Sequence, residues 1–171
     1  MATATEAAAA GADVVTLTIP GEPHAQARQR MRIMSVGNRQ FVHGYQPAES
    51  RNWKAAAQQH MREGFGDRPP FADAVALEVT AFFTCPRSKW RKRDPRPAAW
   101  HTSRPDGDNI LKAVKDAAKG VLWIDDALVA VATIRKVIAP QGEAPRLVLQ
   151  VRALAPLPPA LGALLVEVTG A

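Results

Sequence analysis

A chain of 171 residues, 47% of them hydrophobic, carries enough apolar material for one domain with its own core and too little for two well-buried ones. Twenty-two Lys and Arg against sixteen Asp and Glu leave a net charge of +6 and a pI near 10.0, which favours a polyanionic partner without choosing between DNA, RNA and a membrane surface. No apolar run reaches the ~18 to 20 residues of a membrane span, a lone Cys85 excludes an intramolecular disulfide, and four scattered histidines lack zinc-site spacing, so a cytoplasmic protein without a structural metal is expected.

Residues 1–12, almost all Ala, Thr and Gly, read as a disordered leader, and the fold is expected over 13–153. Val15, Leu17 and Ile19 alternate with Thr and stop at Pro20-Gly21, a first strand and turn. Arg28, Arg30, Arg32 and Arg39 follow in a segment without clear periodicity. Trp53, Ala56, Ala57, His60, Met61 and Phe65 recur at helical spacing, which predicts a helix over 49–65, ended by Gly66. Val75, Leu77, Val79 and Ala81 alternate with Ala76, Glu78 and Thr80, which predicts a strand with one face on the core.

Between Arg87 and Arg104 lie seven basic residues, one acid and two tryptophans, with too many prolines for a helix. A second helix is expected from Asp108, as N-cap, to Lys119, with Gly120 as its stop and Ile110, Leu111, Val114, Ala117 and Ala118 as its apolar stripe. Strands over 129–137 and 146–151 are expected to form a hairpin. The fold class is therefore α/β (α+β), in the order β-α-β-α-β-β with a small mixed sheet, followed by a Pro-rich and apolar tail over 154–171.

The chemistry concentrates between Arg104 and Asp126. Asp106 and Asp108 flank one glycine at a helix start, and Asp108, Lys112 and Asp116, spaced by four, share one helix edge. Gly120 allows the chain to turn back and bring Asp125-Asp126 beside that edge. Were Asp106, Asp108 and one of the later pair to meet at about 5 Å, each pair would repel by roughly 3 kcal/mol at an effective dielectric of 20, a penalty that a hard cation such as magnesium relieves. On an extended segment Asp125 and Asp126 point to opposite sides, so only one would be a direct ligand. The plainer reading is a capped helix with a surface ion pair. A calcium loop is excluded, because Leu111 stands where its glycine and Ala117 where its bidentate glutamate must be.

The run Arg104-Pro105-Asp106-Gly107-Asp108-Asn109-Ile110-Leu111-Lys112, followed by Trp123-Ile124-Asp125-Asp126, resembles the signature of RusA-like Holliday junction resolvases. The resemblance implies a homodimeric, magnesium-dependent endonuclease, with manganese able to substitute, that nicks branched DNA such as four-way junctions and forks in recombination and repair. Position by position, it places the metal-binding aspartates on Asp106, Asp108 and Asp126 and the catalytic lysine on Lys112, with Asp116 and Asp125 supporting them. Gly107 stands where the family usually has a bulky apolar residue, which is expected to loosen the loop. The short chain suits a phage or prophage genome.

Phosphate contacts are expected from Arg87, Lys89, Arg91, Lys92, Arg93 and Arg104, with Arg28, Arg30 and Arg32 as a second set. Trp90 or Trp100 is a candidate for base stacking and His101 for a phosphate contact, while His24, His43, His60 and Cys85 are read as structural. Two rival readings use the same residues: a non-catalytic basic DNA-binding module, and a glycosyltransferase holding a metal through Asp-x-Asp.

Overall fold

In the computed structural model, residues 14–28, 30–37 and 39–156 are described. The proposed leader and the apolar stretch around Leu164 lie outside them. The elements are β1 (Val15–Pro20), β2 (Arg30–Val36), β3 (Arg39–Tyr45), α1 (Ala48–Phe65), β4 (Val75–Phe83), β5 (Ala99–Trp100), α2 (Gly107–Ala118), β6 (Val129–Ile138) and β7 (Arg146–Ala153). Five strands make a mixed sheet in the order β1-β7-β4-β6-β5, and β2 with β3 make a separate two-stranded ribbon.

Alternation in β4 puts Val75, Leu77, Val79, Ala81 and Phe83 on the covered face. Register then assembles rows across three strands: Val15, Val151 and Leu77; Leu17, Leu149 and Val79; Ile19, Leu147 and Ala81. Both helices share the resulting core. Helix α1 contributes Ala57, Met61 and Phe65, and α2 contributes Ile110, Val114, Ala117 and Ala118. On the other face of the sheet, the Arg135 guanidinium donates to Glu78 at 2.9 Å and Arg146 stacks over the Phe82 ring at 4.3 Å.

The expected hairpin between the last two strands does not form. Strand β4 lies between them, parallel to β6 and antiparallel to β7. Leu147, Leu149 and Val151 are fully buried, which suits an interior strand with a neighbour on each side. The seven residues 139–145 reach across the end of the intervening strand, a gap of roughly 10 Å, without difficulty. The parallel β4–β6 pair requires a crossover, which residues 84–128 supply through α2. Helix α2 is thus pinned over the sheet between two neighbouring strands.

Three strands had no expectation behind them. Strand β5 is only two residues long, and the β2–β3 ribbon exposes its described side chains on both faces, so no burial pattern marks it in the sequence.

Because Leu77 sits at the centre of the covered face with no exposed surface, Leu77→Ala should lower stability by about 2 to 5 kcal/mol. Urea denaturation followed by circular dichroism measures this, and a loss under 1 kcal/mol would contradict the packing described.

Candidate functional site

The N-cap of helix α2 lies two residues earlier than expected, at Asp106 rather than Asp108. Asp106 is its N-cap, extended at φ −71 and ψ 146, and Asp108 lies within the first turn. Asp106 makes no side-chain capping bond to the helix, so its carboxylate is not engaged in closing the helix end. The Lys136 ammonium on β6 donates to the carbonyls of Ser103 and Pro105, both at 2.6 Å, and ties the approach to the helix onto the sheet. Gly107 packs so closely on β6 that an added Cβ would stand 3.1 Å from Cγ2 of Ile134. The loop expected to be loosened by this glycine is instead seated directly on a strand.

At the other end of α2, Gly120 turns the chain at φ +75, a backbone conformation that disfavours any side chain. The Phe71 amide donates to Leu122 O at 2.9 Å, and the Ile124 amide donates to Phe71 O at 3.1 Å. These bonds bracket Trp123, whose side chain is wholly buried. Its indole Nε1 donates to Asp126 Oδ1 at 2.9 Å. The neighbouring acid faces elsewhere: the Lys119 ammonium donates to Asp125 Oδ2 at 2.5 Å, and the Ala127 amide donates to Asp125 Oδ1 at 3.0 Å. The bond from Lys119, then that from Ala127, holds the Asp125 carboxyl below its ordinary value, and the same contact raises Lys119.

Asp108, Leu111, Lys112, Lys115, Asp116 and Asp126 line one open cleft of about 360 Å³. Of the sequence-predicted residues, Asp108, Lys112, Asp116 and Asp126 therefore meet there, and Asp125 does not. Asp106 lines an adjoining cleft of about 640 Å³ with Arg28, Arg104, Pro105 and Asn109. Asp108 and Asp116 stand about 12 Å apart along the helix axis, so the acids are strung along an edge rather than drawn to a point. Among the described residues, no three carboxylate, imidazole or thiol groups stand close enough to enclose an ion alone.

The donor chemistry nevertheless suits a hard cation, since the ionisable groups lining the cleft are carboxylates and ammonium groups. Magnesium ordinarily takes one or two carboxylates and completes its shell with water and substrate phosphates. Two neighbours escaped the sequence reading. Lys115, seven residues from Asp108, falls on the same helix edge, a spacing that could have revealed it. Trp123 was read only as part of a motif, and nothing in sequence spacing shows where its N–H points.

The basic stretch is exposed, and Gln141 fastens it. The Gln141 side chain accepts from the Arg91 amide at 2.9 Å and from the Arg96 amide at 3.3 Å, and donates to Arg91 O at 3.0 Å. Arg87 lies 5.6 Å from the Trp90 ring centre, and the Trp90 indole donates to Cys85 O. Arg32 is exposed on β2, while Arg28 and Arg104 share the cleft of Asp106. Trp100 is 72% exposed. His101 stacks on Phe83 at 4.0 Å with Nδ1 buried, and burial, followed by the Lys136 charge, holds its imidazole below the usual value.

A sequence profile described as Endodeoxyribonuclease RusA matches residues 20–152. The chain belongs to the RusA endodeoxyribonuclease family. An uncharacterized relative, protein YqaN of Bacillus subtilis (strain 168), is 30% identical over 149 residues, covering 82% of this chain and 96% of the relative. The RusA match spans β2 through most of β7 and so contains both clefts, the basic stretch and Trp123. Among the described residues, no helix is long and apolar enough to cross a membrane.

Trp123→Phe removes the donor to Asp126 but keeps most of the buried ring. DNA cleavage should fall about 10- to 100-fold while stability drops by about 1 to 3 kcal/mol; wild-type cleavage in the folded variant would show that the bond does not position Asp126. For His101, a depressed value in the fold means that the unfolded chain takes up the proton first as pH falls. Its stabilising contribution is full above the ordinary value of 6.5 and is lost as pH drops through the folded value. His101→Phe should flatten the stability profile between about pH 5 and 7, and parallel urea titrations of the two proteins check it.

Proposed function

We propose that the chain is a magnesium-dependent endodeoxyribonuclease that nicks branched DNA, four-way junctions above all, with manganese able to substitute. The observation that carries the proposal is the single cleft lined by Asp108, Lys112 and Asp126, with Asp126 held by a buried indole. Asp106, Asp108 and Asp126 are the proposed metal ligands, Asp108 and Asp126 from this cleft and Asp106 from the cleft it shares with Arg28 and Arg104. A divalent ion there would polarise the scissile phosphate and lower the pKa of the attacking water.

The remaining work belongs to the chain itself. Lys112 would offset negative charge growing on the phosphate oxygens, and Lys115 lines the same wall. Asp116, half-buried at the far end of the cleft, would restrain the lysines. Asp125 would act through Lys119 and the Ala127 amide, fixing the turn that presents Asp126. Arg28 and Arg104, which share the cleft of Asp106, would hold the DNA backbone beside the cut. Arg30, Arg32, Arg87, Lys89, Arg91, Lys92 and Arg93 would extend that grip along the arms of the substrate. Paired nicks in a two-fold substrate suit a homodimer, with recombination and repair as the setting.

Asp108→Asn should cut a labelled four-way junction at least about 100-fold more slowly than wild type while binding it as tightly without divalent ion. Wild-type cutting by the variant, or cutting by either protein in the presence of a chelator, would defeat the assignment. Junction binding by the wild type with no nicking in magnesium or manganese would replace it with the non-catalytic DNA-binding reading.

A further inference from the structure

From Pro23 to Ala48 the chain holds four arginines and two histidines and not one Asp or Glu. Most of this stretch is the β2–β3 ribbon, which packs chiefly against itself. Its root is fixed beside the candidate site: the Gln26 amide donates to Asn109 O at 2.9 Å, and Arg28 shares the cleft of Arg104 and Asp106. Seven paired residues make an arm about 23 Å long, comparable to the width of a DNA duplex, rooted beside the cleft of Asp106.

Register sorts the arm into two unlike faces. Arg32 pairs with His43 and Met34 with Phe41, and Tyr45 and Arg39 lie at the two ends of that same face. The opposite face carries Met31, Ile33 and Val42, with Ser35 and Gln40 toward the tip. Phe41 is 45% and Tyr45 39% exposed, although both rings are large enough to be buried in an ordinary fold. Cations alternating with accessible rings are the chemistry of a nucleic-acid strand, phosphates for the first and base faces for the second. An intact duplex offers its base edges in the grooves but keeps its base faces stacked away. Base faces become available where strands exchange or part.

We propose that the β2–β3 ribbon is a branch-recognition arm. Phe41 and Tyr45 stack on bases unstacked at the branch of the DNA, while Arg32 and Arg39 hold the flanking phosphates. The inference rests on reading the adjoining cleft as a nuclease site, and it adds a source of selectivity for branched over linear DNA. The absence of acids along the arm keeps its potential uniformly attractive to a polyanion.

The test compares wild type, Phe41→Ser/Tyr45→Ser and Arg32→Ser/Arg39→Ser in binding a labelled four-way junction and a linear duplex of equal length, without divalent ion. All four side chains are exposed, so melting temperatures should match wild type. The aromatic variant should lose about tenfold or more on the junction and under about twofold on the duplex. The arginine variant should lose affinity for both, with a salt slope shallower by about two. In wild type, a fluorescent aminopurine placed at the branch should be quenched on binding, a readout that needs no variant.

An unchanged junction-to-duplex ratio in the aromatic variant, or no quenching in wild type, overturns the arm while leaving the nuclease reading intact. Loss of junction binding that tracks a change from dimer to monomer in sedimentation overturns it too, and gives the ribbon to a second copy of the chain. A wild type with no preference for the junction defeats the inference and the reading beneath it together.

Discussion

The indole of Trp123 belongs to two environments at once. Its ring is wholly buried in the common core of helices and sheet, while its N–H emerges to meet Asp126 at the rim. A buried donor left without a partner costs about 1 to 3 kcal/mol, so the core itself selects the orientation of that carboxylate. Two backbone bonds to Phe71, just before β4, fix the height of the indole above the sheet. The acid most distant in sequence from Asp108 is thereby held by packing rather than by a surface loop. The catalytic reading of the cleft inherits its geometry from an ordinary hydrophobic core.

The distribution of charge around α2 follows a consistent plan. Three carboxylates and two ammonium groups line one cleft, and one carboxylate with two guanidinium groups lines the next. Acids close to one another repel, and the lysines one turn away along the helix moderate that repulsion without a metal. The excess positive charge lies outside, in the exposed stretch fastened by Gln141 and in the acid-free ribbon. A polyanion drawn in by the periphery would meet a concentration of opposing charge where a cation can bridge it.

Much of this was legible before any coordinates. Period-two alternation in β4 and the apolar stripe of α2 identify both elements, because each has one face on the core and one on solvent. Asp125 and Asp126 find different partners, as expected, although only Asp125 is extended and Asp126 opens a short 3-10 turn. The ribbon was illegible for the converse reason: a strand exposed on both faces carries no burial signal, and arginines alternating with methionine and isoleucine resemble a loop. Strand identity was readable for β6 and β7, but adjacency was not, since periodicity says which face is buried and nothing about which strand lies alongside. The N-cap slipped by two residues because Asp106 and Asp108 both satisfy the compositional rule, and Gly107 conceals its tight packing until β6 is placed beneath it. Asp108 and Asp116 line the helix edge that their spacing defines, whereas the placement of Asp126 in their cleft and of Asp106 in another depends on loop paths that no spacing encodes.

The contact between Gly107 and Ile134 has a consequence for how such a site can diversify. A hydrogen in place of a side chain lets the first turn of α2 rest on the strand, with Ile134 filling the space beneath. Volume at these two places is a shared quantity. A homologue with a larger residue at the first should bear a smaller one at the second, or else lift the helix start and its two aspartates off the sheet. The pair would then covary in size across descendants while the acids on either side stay fixed, giving the loop a mechanical coupling that inspection of the ligands alone would miss.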